Sequence, residues 1–284
     1  MIRKHHQYGM VIVLLIAAAG LVAAYATAQP KASGDAEAVS ELESDFQDLI
    51  EPQVAELMHD VSDYIAAAKS FSFRAEITFD DVLFSGQKIE HGGTLEVAVR
   101  RPDRFYFRYA GDTFAKQYWY DGRHFTVLDE HLNLYATAPA PPTLDETLTE
   151  IRDKLDVRLP LGDFAFDDPY APLAASAQIG FHVGRHTVRG IECQHMAFGG
   201  AVIDFQVWIE DSQRLLPRKV VIDHIMDPAV PKYSAFLSEW NLSPRLPDRL
   251  FEAKLPEGAE RIDFAVISPP EDEPEAPESS DGTN

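Results

Sequence analysis

The sequence predicts a mainly β protein with helices (α+β): an antiparallel sheet curved into a half-barrel, with an N-terminal helix and an inserted helical lid. Three observations carry this reading. Segments in which apolar and polar residues alternate recur from Phe71 to Leu242, and a strand points successive side chains to opposite faces with that period of two. The apolar face of the clearest segment is aromatic, and helical periodicity appears only before the sheet and in its middle. A long antiparallel sheet must curl or split, and curling around those helices buries the aromatic face.

The clearest segment, Arg100 to Ala138, reads as a β-meander. Phe105, Phe107 and Tyr109 fall on one side of its first strand, and Arg104, Tyr106 and Arg108 on the other. Ala110-Gly111-Asp112 breaks the pattern and Thr113 to Tyr120 resumes it. Asp121-Gly122 is a two-residue hairpin signal, Phe125 to Leu128 starts the return strand, and Asp129 to Asn133 turns into Leu134 to Ala136.

In chain order, residues 1–28 read as a secretory signal: Arg3 and Lys4, the apolar run Met10 to Ala24, and the small-x-small site Ala26-Thr27-Ala28 before Gln29. The apolar run is shorter than the roughly 20 residues of a spanning helix, so an uncleaved anchor is the second choice. No cysteine lies near the cleavage site to carry a lipid. Residues 29–45 are small and acidic, a flexible lead-in. The domain covers 46–266. Its helix has Pro52 in the first turn and a stripe of Val54, Leu57, Met58, Val61, Tyr64, Ile65 and Ala68. Phe71, Phe73, Ala75, Ile77 and Phe79 then alternate as a strand. Val82 to Ile89 reads as a second strand, His91-Gly92-Gly93 as a turn, and Leu95 to Arg101 as a third strand, stopped by Pro102.

After Tyr135 the chain turns Ala/Pro-rich. Thr143 and Glu146 form a capping box for a helix with Leu144, Leu148, Ile151 and Leu155 inward, and a short helix follows Asp168-Pro169. Strands resume at 178–183, 187–198, 201–210, 217–225 and 233–242, with turns at Gly199-Gly200 and Asp211-Ser212, for a total near ten, and Phe264 closes the domain. Residues 267–284, acidic and proline-rich, read as a disordered tail.

With 45% hydrophobic residues the chain can bury a large core. Removing Arg3 and Lys4 with the signal leaves 23 basic against 46 acidic residues, a formal charge of −23. That charge repels phosphate backbones and anionic headgroups, so nucleic acid is excluded as a partner despite Arg100, Arg101, Arg104 and Arg108. The lone Cys193 cannot form an intramolecular disulfide. Motifs for a serine elbow, a zinc helix, a phosphate loop or a dinucleotide site are missing.

The cluster His182, His186, Cys193 and His195 can be read as a zinc site or a Cys-His pair. The plainer reading, histidines on strand surfaces beside a small buried thiol, is preferred. Asp80-Asp81 and Asp167-Asp168 read as solvated caps rather than acid–base pairs. No catalytic residue, metal or cofactor is assigned. The aromatic stripe fits core packing and ligand lining alike. Arg101, in phase with Val97 and Val99, points to the same apolar side and needs a partner there: a lid carbonyl, a carboxylate or a ligand headgroup.

RRPDRFYFRY followed by QYWYDGRHFTVLDEHLN resembles the Arg-Pro, alternating-aromatic, Asp-Gly pattern of the LolA/LolB-type lipoprotein carriers, and VGRHTVRGIECQHMAF with LPRKVVI resembles their later strands. KSFSF, DPYAPL, GIECQHMAF, LPRK and SEWN more closely resemble the predicted periplasmic proteins called domain of unknown function 2092, over about Val54 to Phe264. The resemblance implies a LolA-like half-barrel with a helical lid, a periplasmic location and a hydrophobic ligand. It places Arg101 where the carriers have their lid-latching arginine, and Phe105 and Phe107 among the cavity aromatics. The Ala138 to Ala177 insertion and the acidic tail depart from the carriers.

The expected function is therefore a soluble, monomeric periplasmic binding or carrier protein for an acyl chain, a lipid or a lipoprotein's lipid moiety. Val97, Val99, Arg101, Phe105, Phe107, Tyr109, Phe71, Phe73, Leu148 and Ile151 would line the ligand site. Burying roughly 16 methylenes yields on the order of 12 kcal/mol before entropy and lid costs. The alternatives are a sensor or scaffold module that binds another envelope protein, and a hydrolase using the His182/His195 region.

Overall fold

The computed structural model describes residues 49–264; the signal, the acidic lead-in and the tail lie outside the described residues. An open, curved, 12-stranded sheet, not closed into a barrel, carries the helices. Helix α1 (Pro52–Ala66) starts on Pro52 and buries Val54, Met58, Val61 and Ile65, spaced four, three and four residues apart. Strands β1 (Ser70–Val82), β2 (Lys88–Arg100), β3 (Arg104–Gly111), β4 (Ala115–Tyr120), β5 (His124–Asp129) and β6 (Leu134–Pro139) form one antiparallel meander. The lid comes next, with helix α2 (Leu144–Asp153), a 3-10 turn (Gly162–Ala165) and helix α3 (Ala171–Ser176). Strands β7 (Ala177–Val188), β8 (Ile191–Gly200), β9 (Ile203–Glu210), β10 (Pro217–His224) and β11 (Lys232–Asn241) form a second meander, and the two-residue β12 (Glu260–Arg261) adds parallel to β6.

The strand order β12-β6-β5-β4-β3-β2-β1-β11-β10-β9-β8-β7 puts β1 at the centre, where its pairing with β11 joins the two meanders. It also puts β6 and β7, which the lid connects, at opposite sides of the sheet. One face of nearly every strand shares a single core with α1, α2 and the turn. The other face carries a small cluster of Val188, Cys193, Trp208 and Val221.

Several sequence expectations need correcting. Residues 82–89 are not a separate strand: β1 runs to Val82, the chain reverses between Leu83 and Gln87, and β2 begins at Lys88. His91-Gly92-Gly93 is no turn but the interior of β2. Gly93 is there for space, because a Cβ on it would lie 2.5 Å from the Tyr109 ring, as one on Gly111 would lie 2.4 Å from the Tyr109 hydroxyl. The Asp121 loop spans three residues rather than two, since Asp121 accepts the N–H groups of Arg123 and His124. The 187–198 run is cut at Arg189-Gly190, both at positive φ, into the end of β7 and the start of β8. Gly199 and Gly200 end β8 instead of forming its turn. The last lid helix begins at Ala171, with Pro172 and not Pro169 in its first turn, because Asp168 accepts the N–H groups of Tyr170 and Ala171 and folds Pro169 into a capping loop. Of the capping box, the Thr143 cap forms, its hydroxyl accepting the Glu146 N–H at 3.3 Å, while the Glu146 carboxylate accepts from the Thr143 hydroxyl at 2.9 Å instead of from its backbone N–H.

Candidate functional site

Register determines what the covered face presents. Phe71, Val99, Phe105, Tyr120 and Phe125 pair across five consecutive strands as one rung, and Phe73, Val97, Phe107, Tyr118 and Val127 as the next. Tyr109 follows opposite Leu95. Leu148 and Ile151 meet this face from α2. All nine of these apolar or aromatic candidates are at most 5% exposed. They are brought together, and in this closed arrangement they form a packed core: Phe105 meets Phe107 edge-on at 5.4 Å, and Phe73 meets Phe164 of the lid at 5.8 Å.

Arg101 is the polar member of the face. Its Nη1 donates to the Ala165 carbonyl and to Asp167 Oδ1, both at 2.9 Å, and its Nη2 donates to the Phe166 carbonyl at 2.8 Å. Its guanidinium also lies 5.8 Å from the centroid of the Phe71 ring. Burial lowers its pKa and the carboxylates of Asp167 and Asp145 oppose that shift; an arginine stays protonated throughout. From the far side, Asp145 in the first turn of α2 accepts the Asp167 N–H at 2.9 Å. A second clasp ties the lid to α1, where the buried Ser62 hydroxyl donates to Asp168 Oδ1 at 2.6 Å. Hence Asp167 and Asp168, adjacent in sequence, both fasten the lid.

Two cavities flank α1. An apolar one of about 40 Å³ lies among Met58, Val61, Phe164, Leu173, Val207 and Ile222. A crevice of mixed lining, about 270 Å³, opens among Val54, Leu57 and Met196 and the polar Glu56, Asp60 and His182. None of the ten sequence-assigned residues lines either. The β9 and β10 contribution was missed, although Ile203, Phe205, Val207 and Ile209 alternate plainly in the sequence. The Tyr109 and Tyr233 hydroxyls are buried without hydrogen-bond partners, and burial pushes the Tyr109 pKa up to about 12. These are groups that a ligand's polar atoms can satisfy.

The histidine cluster does not converge as a whole: only His186 and His195 meet, with their Nδ1 atoms 3.1 Å apart. His182 borders the crevice, whereas His195 stacks on Trp208 of the opposite face with Cys193 buried nearby. Among the described residues no group of three or more His, Cys, Asp or Glu side chains is placed to hold a metal.

A family model matches residues 54–265, about three quarters of the chain and all of its sheet. The chain belongs to the family described as Predicted periplasmic protein (DUF2092). The family's description places the protein in the periplasm, in agreement with the export signal read from the sequence. No described helix is long and apolar enough to cross a membrane. Similar solved structures include LprF of Mycobacterium bovis, at 14% identity over 70% of this chain and 97% of that one with a TM-score of 0.43. Lipoprotein LppX of Mycobacterium tuberculosis shares 12% identity over 68% of this chain and 99% of its own, with a TM-score of 0.40. A LolA superfamily protein of Nitrosomonas europaea shares 11% identity over 70% and 97%, with a TM-score of 0.36. No curated protein matches the sequence.

The Asp168 clasp has a pH signature. Chiefly through the Ser62 hydroxyl, and also through two backbone N–H groups, Asp168 is held below the ordinary aspartate pKa. A group with a lowered folded-state pKa contributes stability that is complete above its unfolded value, about 3.9, and is lost as pH falls through the folded one. The clasp therefore loosens only below about pH 4. Asp168→Asn should show a weaker acid dependence of lid protection than wild type in hydrogen exchange of the α3 amides, and equal dependence would show that the clasp does not hold the lid.

Proposed function

We propose that the protein is a periplasmic binding or carrier protein for a hydrophobic ligand, an acyl chain or a lipid's hydrocarbon part, which it takes between the sheet and the lid. One observation carries the reading. The lid covers an apolar, aromatic sheet face and, beside its apolar packing, is fastened by polar side-chain contacts, Arg101 to the sheet and the Ser62–Asp168 clasp to α1, instead of by sheet pairing. Contacts of that kind can be exchanged for water when the lid lifts, at a net cost of about 1–3 kcal/mol each. The small apolar cavity is then the closed remnant of a larger site, and the unpartnered Tyr109 and Tyr233 hydroxyls await a ligand's polar end.

The test is Arg101→Ala. It removes three fastenings and is expected to raise the affinity of an environment-sensitive apolar dye several-fold while the sheet still melts cooperatively. Native mass spectrometry of wild-type protein taken from the periplasm should show a bound lipid. Dye binding that is absent in both proteins, together with an empty wild type, would overturn the reading.

A further inference from the structure

Away from the lid, the opposite face of the sheet holds a pair of imidazoles, where the sequence reading assigned no metal. His186 on β7 and His195 on β8 face each other with their Nδ1 atoms 3.1 Å apart and their rings inclined at 61°. His195 is fixed on two sides: its ring stacks on Trp208 at 3.9 Å, and its Nε2 lies 3.0 Å from Gln206 Oε1. An amide oxygen only accepts, so His195 carries its proton on Nε2 and its Nδ1 is a bare lone pair. His186 Nδ1 donates to it, which leaves the Nε2 of the exposed His186 ring free to take that proton instead.

Two nitrogens bound at about 2.0–2.1 Å to one metal stand about 2.9 Å apart at a right angle and about 3.3 Å apart at a tetrahedral angle. The observed separation falls between. We propose that His186 and His195 form a two-imidazole clamp for a borderline divalent transition metal, Cu²⁺ before Ni²⁺ or Zn²⁺, with water completing the coordination. Binding needs the proton to move from Nδ1 to Nε2 of His186 and the exposed His186 ring to tilt, so that both Nδ1 lone pairs turn from each other toward the metal. The hydrogen bond to Gln206 is the outer contact that orients a metal-binding histidine and raises its basicity, and imidazole ligands with open positions suit Cu²⁺ best.

The surroundings set the pH range. Burial, with help from His186, Lys219 and His182, lowers the His195 pKa despite the Gln206 hydrogen bond. Lys219, whose ammonium lies 4.5 Å from the Trp208 ring, also weakens the attraction for a dication, so micromolar rather than tighter affinity is expected.

The experiment is titration of the full chain with Cu²⁺ alone, at pH 7.5 and pH 5, followed by calorimetry and by electron paramagnetic resonance for nitrogen coordination. Wild type should bind with a nitrogen-coupled signal that is lost at pH 5. The His186→Ala change, at an exposed position, should weaken this binding at least tenfold without altering the melting temperature of the metal-free protein. Gln206→Leu, which frees the ring orientation, should weaken it less. Copper binding that His186→Ala leaves unchanged would place the metal elsewhere and would overturn the assignment. So would a wild type that binds none. Neither result bears on the lid.

Discussion

Phe107→Glu is expected to leave no folded protein. Phe107 is fully buried, pairs with Val97 and Tyr118 on neighbouring strands, and meets Phe105 edge to face. A carboxylate at this place has neither water nor a cation, and an unpaired buried charge costs several kcal/mol or more. That is comparable to the whole stability of a typical domain, about 5–15 kcal/mol. Insoluble protein, or soluble protein without a cooperative melt, is the expected result. Phe107→Leu should fold and lose on the order of 1–2 kcal/mol. A soluble, cooperatively melting Phe107→Glu protein would show instead that the face opens to water around this residue.

Arg218→Ala is expected to have the next largest effect. Arg218 on β10 donates through Nε at 2.9 Å and through Nη2 to the Glu210 carboxylate at the end of β9, and the two side chains are only 11% and 14% exposed. Burial raises the Glu210 pKa, and the hydrogen bonds from Arg218 and Ser212 more than reverse it, leaving the group below its ordinary value. Removing the arginine strands that carboxylate, at a cost of about 3 kcal/mol. This corresponds to a fall in Tm of roughly 2–4 °C per kcal/mol for a domain of this size. The double change Arg218→Met with Glu210→Gln should recover most of the loss, because the pair itself adds little beyond cancelling its own desolvation. If the double variant melts as low as Arg218→Ala, the stranded charge is not the cause.

Local signals in the sequence were reliable where the cause was local. Pro52 and the four buried apolar positions of α1, the Thr143 cap, and the alternation of Phe105, Phe107 and Tyr109 all stand in the structure as read. Glycine misled the reading in β2. Gly92 and Gly93 look like a turn, but Gly93, needed for clearance under the Tyr109 ring of the next strand, is indistinguishable in sequence from a glycine needed for a turn. At the candidate site, Arg101 was legible because a cation in phase with Val97 and Val99 must have a partner, which it finds in the lid's carbonyls. The apolar cavity was not legible. Its walls come from α1, the lid and β9–β10, and which rung lies beneath the gap depends on where the lid crosses the sheet. No local pattern encodes that crossing.

The crossing itself restricts how the protein can open. Residues 140–176 leave the sheet at β6 and rejoin it at β7, with nine strands between them, so this cover has no free end. It behaves as a bowstring on a bow: flattening the sheet tightens it, and rolling the sheet more closely gives it slack. A door hinged at one end could swing clear of the face. This segment can only bulge outward or slide toward one rim, so admission of a guest is tied to the curvature of all the strands that the segment spans.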